Sequence, residues 1–206
     1  MTTATVAVTT PSGRTLEGLV PGVWTVDTAH SEVGFVARHL MVSKVRGRFT
    51  DYDATITVAP NVLDSHVEAT VQLDSLETKD DKRDGHLKSE DFFHVEQHPT
   101  MTFRSTGIRE NGSDFLLDGD LTIRGVTKPV TFDLEFNGVA ATPWGGSSAG
   151  FTAETEINRK DWGLNWNVAL ESGGVLVSDK VKIILEIEAT APQAEAADEA
   201  EGSAQA

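Results

Sequence analysis

The chain has 206 residues, enough for a single domain with a core of its own. It carries 32 acidic against 17 basic residues, a formal net charge of -15, which opposes nucleic-acid backbones and anionic surfaces as long-range partners. Cysteine is absent, which excludes disulfides, thiolate nucleophiles and cysteine-ligated metal centres.

Residues 1–21 are rich in Thr, Ala and Val, carry no base before Arg14, and are broken by Pro11, Gly13, Gly18 and Pro21. They read as an irregular arm, partly packed on the main domain. A secretory signal is disfavoured, and the expected location is the cytoplasm. No run approaches the ~18 consecutive apolar residues of a membrane span, so no stable membrane insertion is expected.

Residues 22–191 form the expected domain, and there the dominant period is two, the mark of half-buried strands. Strands are predicted at Val23–Thr28, Val33–Arg38 and Arg48–Val58. Val67, Ala69, Val71 and Leu73 then oppose Glu68, Thr70, Gln72 and Asp74. From Thr78 to Phe93 the pattern changes. Thr78 is placed as the N-cap of a charged helix with Asp80 and Asp81 in its first turn, and Gly85 weakens its middle. Ser89 caps a second short turn that delivers Phe92 and Phe93 to apolar surroundings. The segment around 79–93 is therefore read as a helical lid or plug across one barrel end.

Strands resume at Met101–Ile108, and the turn Glu110-Asn111-Gly112-Ser113 leads to Phe115, Leu117, Gly119, Leu121 and Ile123 on one face. After Arg124-Gly125-Val126-Thr127, Val130, Phe132, Leu134 and Phe136 face away from Thr131, Asp133, Glu135 and Asn137. Phe151–Asn158 and Val181, Ile183, Leu185 and Ile187 complete the set. Residues 192–206 hold acids but no base or large apolar group, and are expected to be a disordered acidic tail. So many one-sided antiparallel strands either close on themselves or pair as two sheets; the fold class is all-β, and a closed barrel is preferred.

The order of short motifs adds to this. Asp27-Thr28-Ala29-His30-Ser31-Glu32-Val33-Gly34-Phe35 precedes His39-Leu40-Met41-Val42-Ser43-Lys44-Val45-Arg46-Gly47-Arg48-Phe49. His86-Leu87-Lys88-Ser89-Glu90-Asp91-Phe92-Phe93 comes next, with His98-Pro99, then Gly119-Asp120-Leu121-Thr122-Ile123-Arg124-Gly125-Val126-Thr127-Lys128-Pro129-Val130, and Asn158-Arg159-Lys160-Asp161-Trp162-Gly163. From Gly22 to Ala191 this series resembles the YceI-like family of polyisoprenoid-binding proteins. The resemblance implies an eight-stranded, lipocalin-like antiparallel barrel around an elongated apolar pore. It implies non-enzymatic binding, sequestration or carriage of a long-chain isoprenoid lipid, such as an isoprenoid quinone or a polyprenyl phosphate, with no cofactor and no shared catalytic constellation. Some such proteins pair as homodimers, and no sequence feature decides this here. The periplasmic setting of many relatives is not carried over, because no export signal is recognised and the acidic tail is an addition. Two other readings stand beside it: an enzyme acting on an apolar intermediate in the same cavity, and a plugged barrel serving in interactions or stress responses.

Bulky apolar groups at strand and lid positions make Phe35, Leu40, Met41, Phe49, Phe103, Trp162 and Trp166 the candidate pore walls, although such residues equally fill a solid core. His30, Arg38, Arg46 and Arg48 are candidate head-group or mouth contacts. With Lys44, the arginines form the most basic stretch of an acidic chain, and Arg46 and Arg48 share a strand face opposite Gly47 and Phe49. Their bland reading is a solvated face balanced by Asp51 and Asp53. Asp27, His30 and Ser31 look like triad pieces, but adjacent strand residues face opposite ways, and a turn network is preferred. His94 and His98 have helical spacing, yet Pro99 disfavours helix at His98 and no metal site is expected. His39, His66 and His86 are scattered.

Overall fold

Alternate side chains of a strand face opposite sides of a sheet, and this chain uses that alternation to separate a dry interior from a charged exterior. The computed structural model describes residues 6–40, 42–169 and 175–192. In chain order the elements are β1 (Gly22–Val26), β2 (Glu32–His39), β3 (Ser43–Phe49), β4 (Tyr52–Val58), β5 (His66–Gln72), β6 (Leu76–Glu77), α1 (Asp81–Lys88), β7 (Thr100–Asn111), β8 (Asp114–Ile123), β9 (Val126–Ala141), β10 (Ser147–Asn158) and β11 (Val177–Thr190). Among the described residues, no helix is long and apolar enough to cross a membrane.

Every pairing between these strands is antiparallel. The series β1-β4-β5-β7-β8-β9-β10-β11 closes into a ring because Thr25 of β1 pairs with Thr190 of β11, and Val26 with Ala189. This is the expected eight-stranded barrel. Where β1 leaves β11, β2 takes its place, with Glu32 opposite Glu186 and His39 opposite Val177. The outer neighbours follow the same split: β4 pairs with β1, and β3 with β2. The single strand expected over 48–58 is therefore broken, β3 ending at Phe49 and β4 starting at Tyr52. The break has a consequence for the wall. β4 pairs with β5, whereas the outer edge of β3 takes only the two-residue β6, so the segment after β5 lies where the upper wall lacks a long strand.

The hairpin turns obey their local chemistry. Arg124 and Gly125 join β8 to β9 with φ of 52° and 72°, the pair of positive values a tight two-residue hairpin demands. At the lower end, the 6–21 segment lies against the barrel: Val8, Leu16 and Leu19 are buried with Val58, Val62 and Phe115. Thr9 N–H donates to the Pro60 carbonyl, Val62 N–H donates to the Thr9 carbonyl, and the Arg14 guanidinium stands 4.9 Å from the Phe115 ring centroid. The Trp24 indole, fully buried, donates to the Val20 carbonyl at 2.9 Å.

At the upper end lies the helix. Its N-cap is Asp80, whose carboxylate accepts from Arg83 N–H at 3.0 Å, and not Thr78 as expected. Thr78 is buried just after β6, donates its N–H to Asp84 at 2.9 Å and accepts from Arg83 Nε at 2.6 Å. A carboxylate two residues nearer the first turn reaches its free N–H groups, and Thr78 instead ties the helix to the wall. No residue of α1 is fully buried; Ser89 then turns the chain, its hydroxyl donating to the His86 carbonyl at 2.7 Å, so that Phe92 is driven into the interior.

Gly119 is sterically required. A Cβ there would stand 2.3 Å from Phe103 Cζ and 2.8 Å from the Arg104 carbonyl oxygen. The usual gain from replacing a strand glycine is about 0.5–1 kcal/mol, smaller than the about 1–3 kcal/mol of overpacking. Gly119→Ala is expected to lower the unfolding free energy in urea, and Phe103→Leu in the same chain to recover part of that loss.

On the outer wall, Asp118 of β8 accepts from Arg109 Nε at 2.6 Å and from Thr131 Oγ1 at 2.6 Å, joining three neighbouring strands. First the Arg109 hydrogen bond and then that of Thr131 hold its carboxyl at about 2, below its ordinary 3.8. A depressed carboxyl stabilises the fold above the ordinary value and loses that contribution as pH falls through the lower one. Between pH 3.8 and about 2, the unfolding free energy of the wild-type chain is expected to fall more steeply than that of Asp118→Asn; chemical denaturation across that window measures the difference.

Candidate functional site

The inward residues of the barrel do not fill it. Two cavities of about 110 Å³ each lie inside, one under the lid and one towards the lower end. They are one inward step apart on β11: Ile183 lines the upper cavity and Leu185 the lower. The upper lining joins Phe35 and Ala37 of β2, Phe49 of β3, and Leu87, Phe92 and Phe93 of the lid, with Trp162 and Arg159. The lower one includes Leu16 and Leu19, Phe115, Phe136, Phe151 and Ala153. Among the described residues, the polar side chains in these linings are Arg159 above and Ser65 below.

The motif Asn158-Arg159-Lys160-Asp161-Trp162-Gly163 shows how local chemistry builds one wall. Asn158 Oδ1 accepts from Lys160 N–H at 3.1 Å, and Gly163 ends the turn in the left-handed region at φ 76°. Between them runs a 3-10 turn, in which residues three apart share a face. Arg159 and Trp162 are thus both buried, while Lys160 and Asp161 face solvent. The Trp162 indole donates to the Leu121 carbonyl at 3.0 Å, locking the turn to β8.

Arg159 is the unusual group. Its side chain is only 5% exposed; Nε donates to the Ser178 carbonyl at 3.0 Å, and Nη1 donates to the Leu164 carbonyl. Among the described residues Nη2 makes no hydrogen bond, and its counter-charge, Asp179 Oδ1, stands 3.6 Å away. Burial pushes the guanidinium's pKa down and Asp179 opposes the shift. The guanidinium also lies 5.9 Å from the centroid of the Phe92 ring, linking the wall to the lid. A second link is His86 of α1, whose Nε2 donates to the Asp91 carboxylate at 2.9 Å and which stands edge-on to Trp166, ring centroids 4.5 Å apart.

The candidate residues divide accordingly. Phe35, Phe49 and Trp162 line the upper cavity. Phe103 lines neither cavity; it packs against both the upper and lower clusters and meets the Phe132 ring edge-on at 5.5 Å. Trp166 lies behind the lining, against Phe92 and His86. Leu40, expected in a wall, is at the tip of the β2–β3 hairpin, 39% exposed with φ of 53°, because the turn takes it off the strand's alternation. Met41 lies outside the described residues, as do positions 193–206 of the expected tail.

Arg46 and Arg48 share the outer face of β3, with Gly47 and Phe49 turned inward, and Gly47 leaves room for the Phe35 ring. Arg48 pairs with Glu77 at 2.7 Å across β3–β6, and among the described residues neither Asp51 nor Asp53 forms an ion pair with Arg46 or Arg48. Arg38 lies opposite Lys44 on the same outer face. His30 is at the β1–β2 turn, away from the lid. Its Nδ1 is 2.9 Å from Asp27, a hydrogen bond that raises the imidazole's pKa and lowers that of the carboxyl. Ser31 Oγ instead donates to the Glu188 carbonyl at 3.2 Å, so His30 does not serve it as a base. Asp27 and His30 at the turn and Glu188 of β11 bring three ligand atoms within 4.8 Å of one another, with Asp27 and Glu188 half-buried and His30 exposed. His94 and His98, with ring centroids 6.1 Å apart, sit in a turn that His94 enters at φ of 52°, outside any helix. Lining residues that sequence reasoning did not single out as walls include Leu87, Met101, Ile157, Arg159 and Val181.

The sequence from residue 24 to 189 matches the YceI-like domain. The chain belongs to the YceI-like family. A UPF0312 protein of Staphylococcus aureus (strain bovine RF122 / ET3-1) is 43% identical over 161 residues, covering 77% of this chain and 92% of the relative. In fold, the chain resembles BcnA of Burkholderia cenocepacia, with a TM-score of 0.68 at 24% identity over 79% of this chain and 98% of that one. It also resembles a polyisoprenoid binding domain from Saccharophagus degradans implicated in plant cell wall breakdown, with a TM-score of 0.63 at 19% identity over 82% and 98%.

Arg159→Met keeps the stem's bulk but leaves the Ser178 and Leu164 carbonyls without their donor. It is expected to lower stability by about 1–3 kcal/mol, read from the urea midpoint. Asp179→Asn, at a partly exposed carboxylate, should shift that midpoint less.

Proposed function

We propose that this YceI-like barrel binds a long apolar isoprenoid lipid, an isoprenoid quinone or a polyprenyl phosphate, and sequesters or carries it without changing it chemically. The observation that carries this reading is the pair of stacked cavities, whose linings are apolar but for Arg159 and Ser65. Burying methylene groups is worth about 0.8 kcal/mol each, so a prenyl tail gains affinity along its length, offset in part by the cost of ordering it. Each cavity, at about 110 Å³, is smaller than the roughly 150 Å³ that accommodates benzene in an apolar protein interior. A chain of several isoprene units therefore needs the two spaces joined, with the side chains between them displaced and the lid eased. The name of the Saccharophagus degradans domain, polyisoprenoid binding, agrees with this ligand class.

Carriage is favoured over catalysis by the chemistry of the lining. Among the described residues, Arg159 is the one titratable group that lines either cavity, and a guanidinium does not exchange its proton near neutral pH as a general acid or base must.

Organic extraction of the purified chain followed by mass spectrometry is expected to recover a stoichiometric long-chain prenyl lipid. An empty protein that also fails to take up added prenyl lipid refutes the reading, and conversion of the lipid to a new product replaces carriage with catalysis. Ala37→Phe in the upper cavity and Ala153→Phe in the lower one should each reduce lipid uptake at least about tenfold, the loss of only a few buried methylenes being enough for that. Trp166→Ala, which removes the ring that holds the lid through His86 and Phe92, is expected to speed lipid release in a stopped-flow transfer assay.

A further inference from the structure

The β2–β3 hairpin has three properties that neither the barrel nor its cavities require. Its tip is apolar and exposed: Val42 is 82% and Leu40 39% accessible, and Val168 on the neighbouring loop is 44% accessible. Leu40 and Val168 are tied together through the backbone, Leu40 N–H donating to the Leu176 carbonyl at 2.8 Å and Leu176 N–H donating to the Val168 carbonyl at 3.0 Å. Behind the tip stands a basic collar. Arg38 and Lys44 are direct cross-strand neighbours, and Arg46 lies on the same face opposite Val36. Like charges directly opposite each other weaken strand pairing. Among the described residues none of the three has an ion-pair partner, whereas neighbouring Lys180 and Lys182 are taken by Glu156 and Glu154. Finally, the inward face of the same strands, through Phe35, Ala37 and Phe49, lines the upper cavity.

We propose that the β2–β3 hairpin docks on an anionic phospholipid bilayer, Leu40 and Val42 entering the interface while Arg38, Lys44 and Arg46 meet the lipid phosphates. Charge complementarity selects this partner. Three cations without an ion-pair partner among the described residues suit anionic head groups, and the apolar residues ahead of them suit the acyl boundary just beneath. The chain's net charge of -15 opposes the approach at long range. At physiological salt, however, charges more than about 8 Å apart are largely screened, so the collar decides the outcome at contact. Docking in this pose brings the wall of the upper cavity to the membrane surface. It goes beyond the cavity reading and is tested without an isoprenoid.

The test is flotation of the purified full chain with vesicles of phosphatidylcholine alone, or of phosphatidylcholine mixed with phosphatidylglycerol, neither containing prenyl lipid. The expected result is flotation with the mixed vesicles, weakened by added salt, and little with phosphatidylcholine alone. The triple substitution Arg38→Gln, Lys44→Gln, Arg46→Gln should lower the vesicle affinity at least about tenfold, since each base near an anionic surface contributes. Val42→Ser should weaken binding while leaving the thermal unfolding midpoint unchanged, its site being open to solvent. Failure of the wild-type chain to float with mixed vesicles overturns the proposal. So does undiminished flotation of either the triple variant or Val42→Ser.

Discussion

β11 is the strand on which both halves of the barrel close. One edge pairs with β10 from Ser148–Thr190 to Asn158–Lys180; the other pairs with β1 near Thr190 and with β2 from Glu186 to Val177. Because side chains alternate, this pairing also sets which residues face inward: Val181, Ile183 and Leu185 on β11 stand opposite Ala37, Phe35 and Val33 on β2. A one-residue slip would turn those groups outward and bring Lys182 and Glu186 inside. The cavities, the exposed collar and the lidded end all depend on this one register.

The interruption between β1 and β2, matched by the one between β3 and β4, makes the upper half of the barrel different from the lower. Below, the ring is continuous and the 6–21 segment lies over its end. Above, β3 has only β6 along its outer edge, and the segment carrying Leu87, Phe92 and Phe93 supplies the missing apolar cover. That cover is held by side chains, through Arg159, His86 and Trp166, and not by a strand ladder. Side-chain contacts of this kind are released at lower cost than a run of backbone hydrogen bonds.

Unfilled space has an energetic consequence. At ~24 cal/mol per Å³, each cavity of about 110 Å³ costs about 2–3 kcal/mol relative to a packed interior. Several phenylalanines stand around these spaces, and a larger residue at Ala37 or Ala153 would have filled them. Whatever apolar molecule enters regains the missing contacts and stabilises the fold by mass action. The outer wall offsets some of the deficit through cross-strand ion pairs such as Arg48–Glu77 and the Arg109–Asp118–Thr131 network.

Much of this was legible in the sequence, because strand period, hairpin turns and helix caps are local. The alternation of Phe115 to Ile123 and of Val181 to Ile187, the Arg124-Gly125 turn and the delivery of Phe92 by Ser89 all arise from chemistry within a few residues. The ordered motifs likewise pointed to the family. Local chemistry was misread where two caps competed, at Thr78 and Asp80, and where a turn removed Leu40 from the wall. Only the tertiary structure decided whether an apolar residue lines a space or fills one: Phe35 and Phe103 have the same side chain, yet one borders a cavity and the other does not. It alone brought Arg159 against Asp179 and Phe92, and, among the described residues, left Arg38, Lys44 and Arg46 without an ion-pair partner while Arg48 found Glu77. Alternation tells each side chain which face it takes; the register between strands distant in sequence determines what waits there.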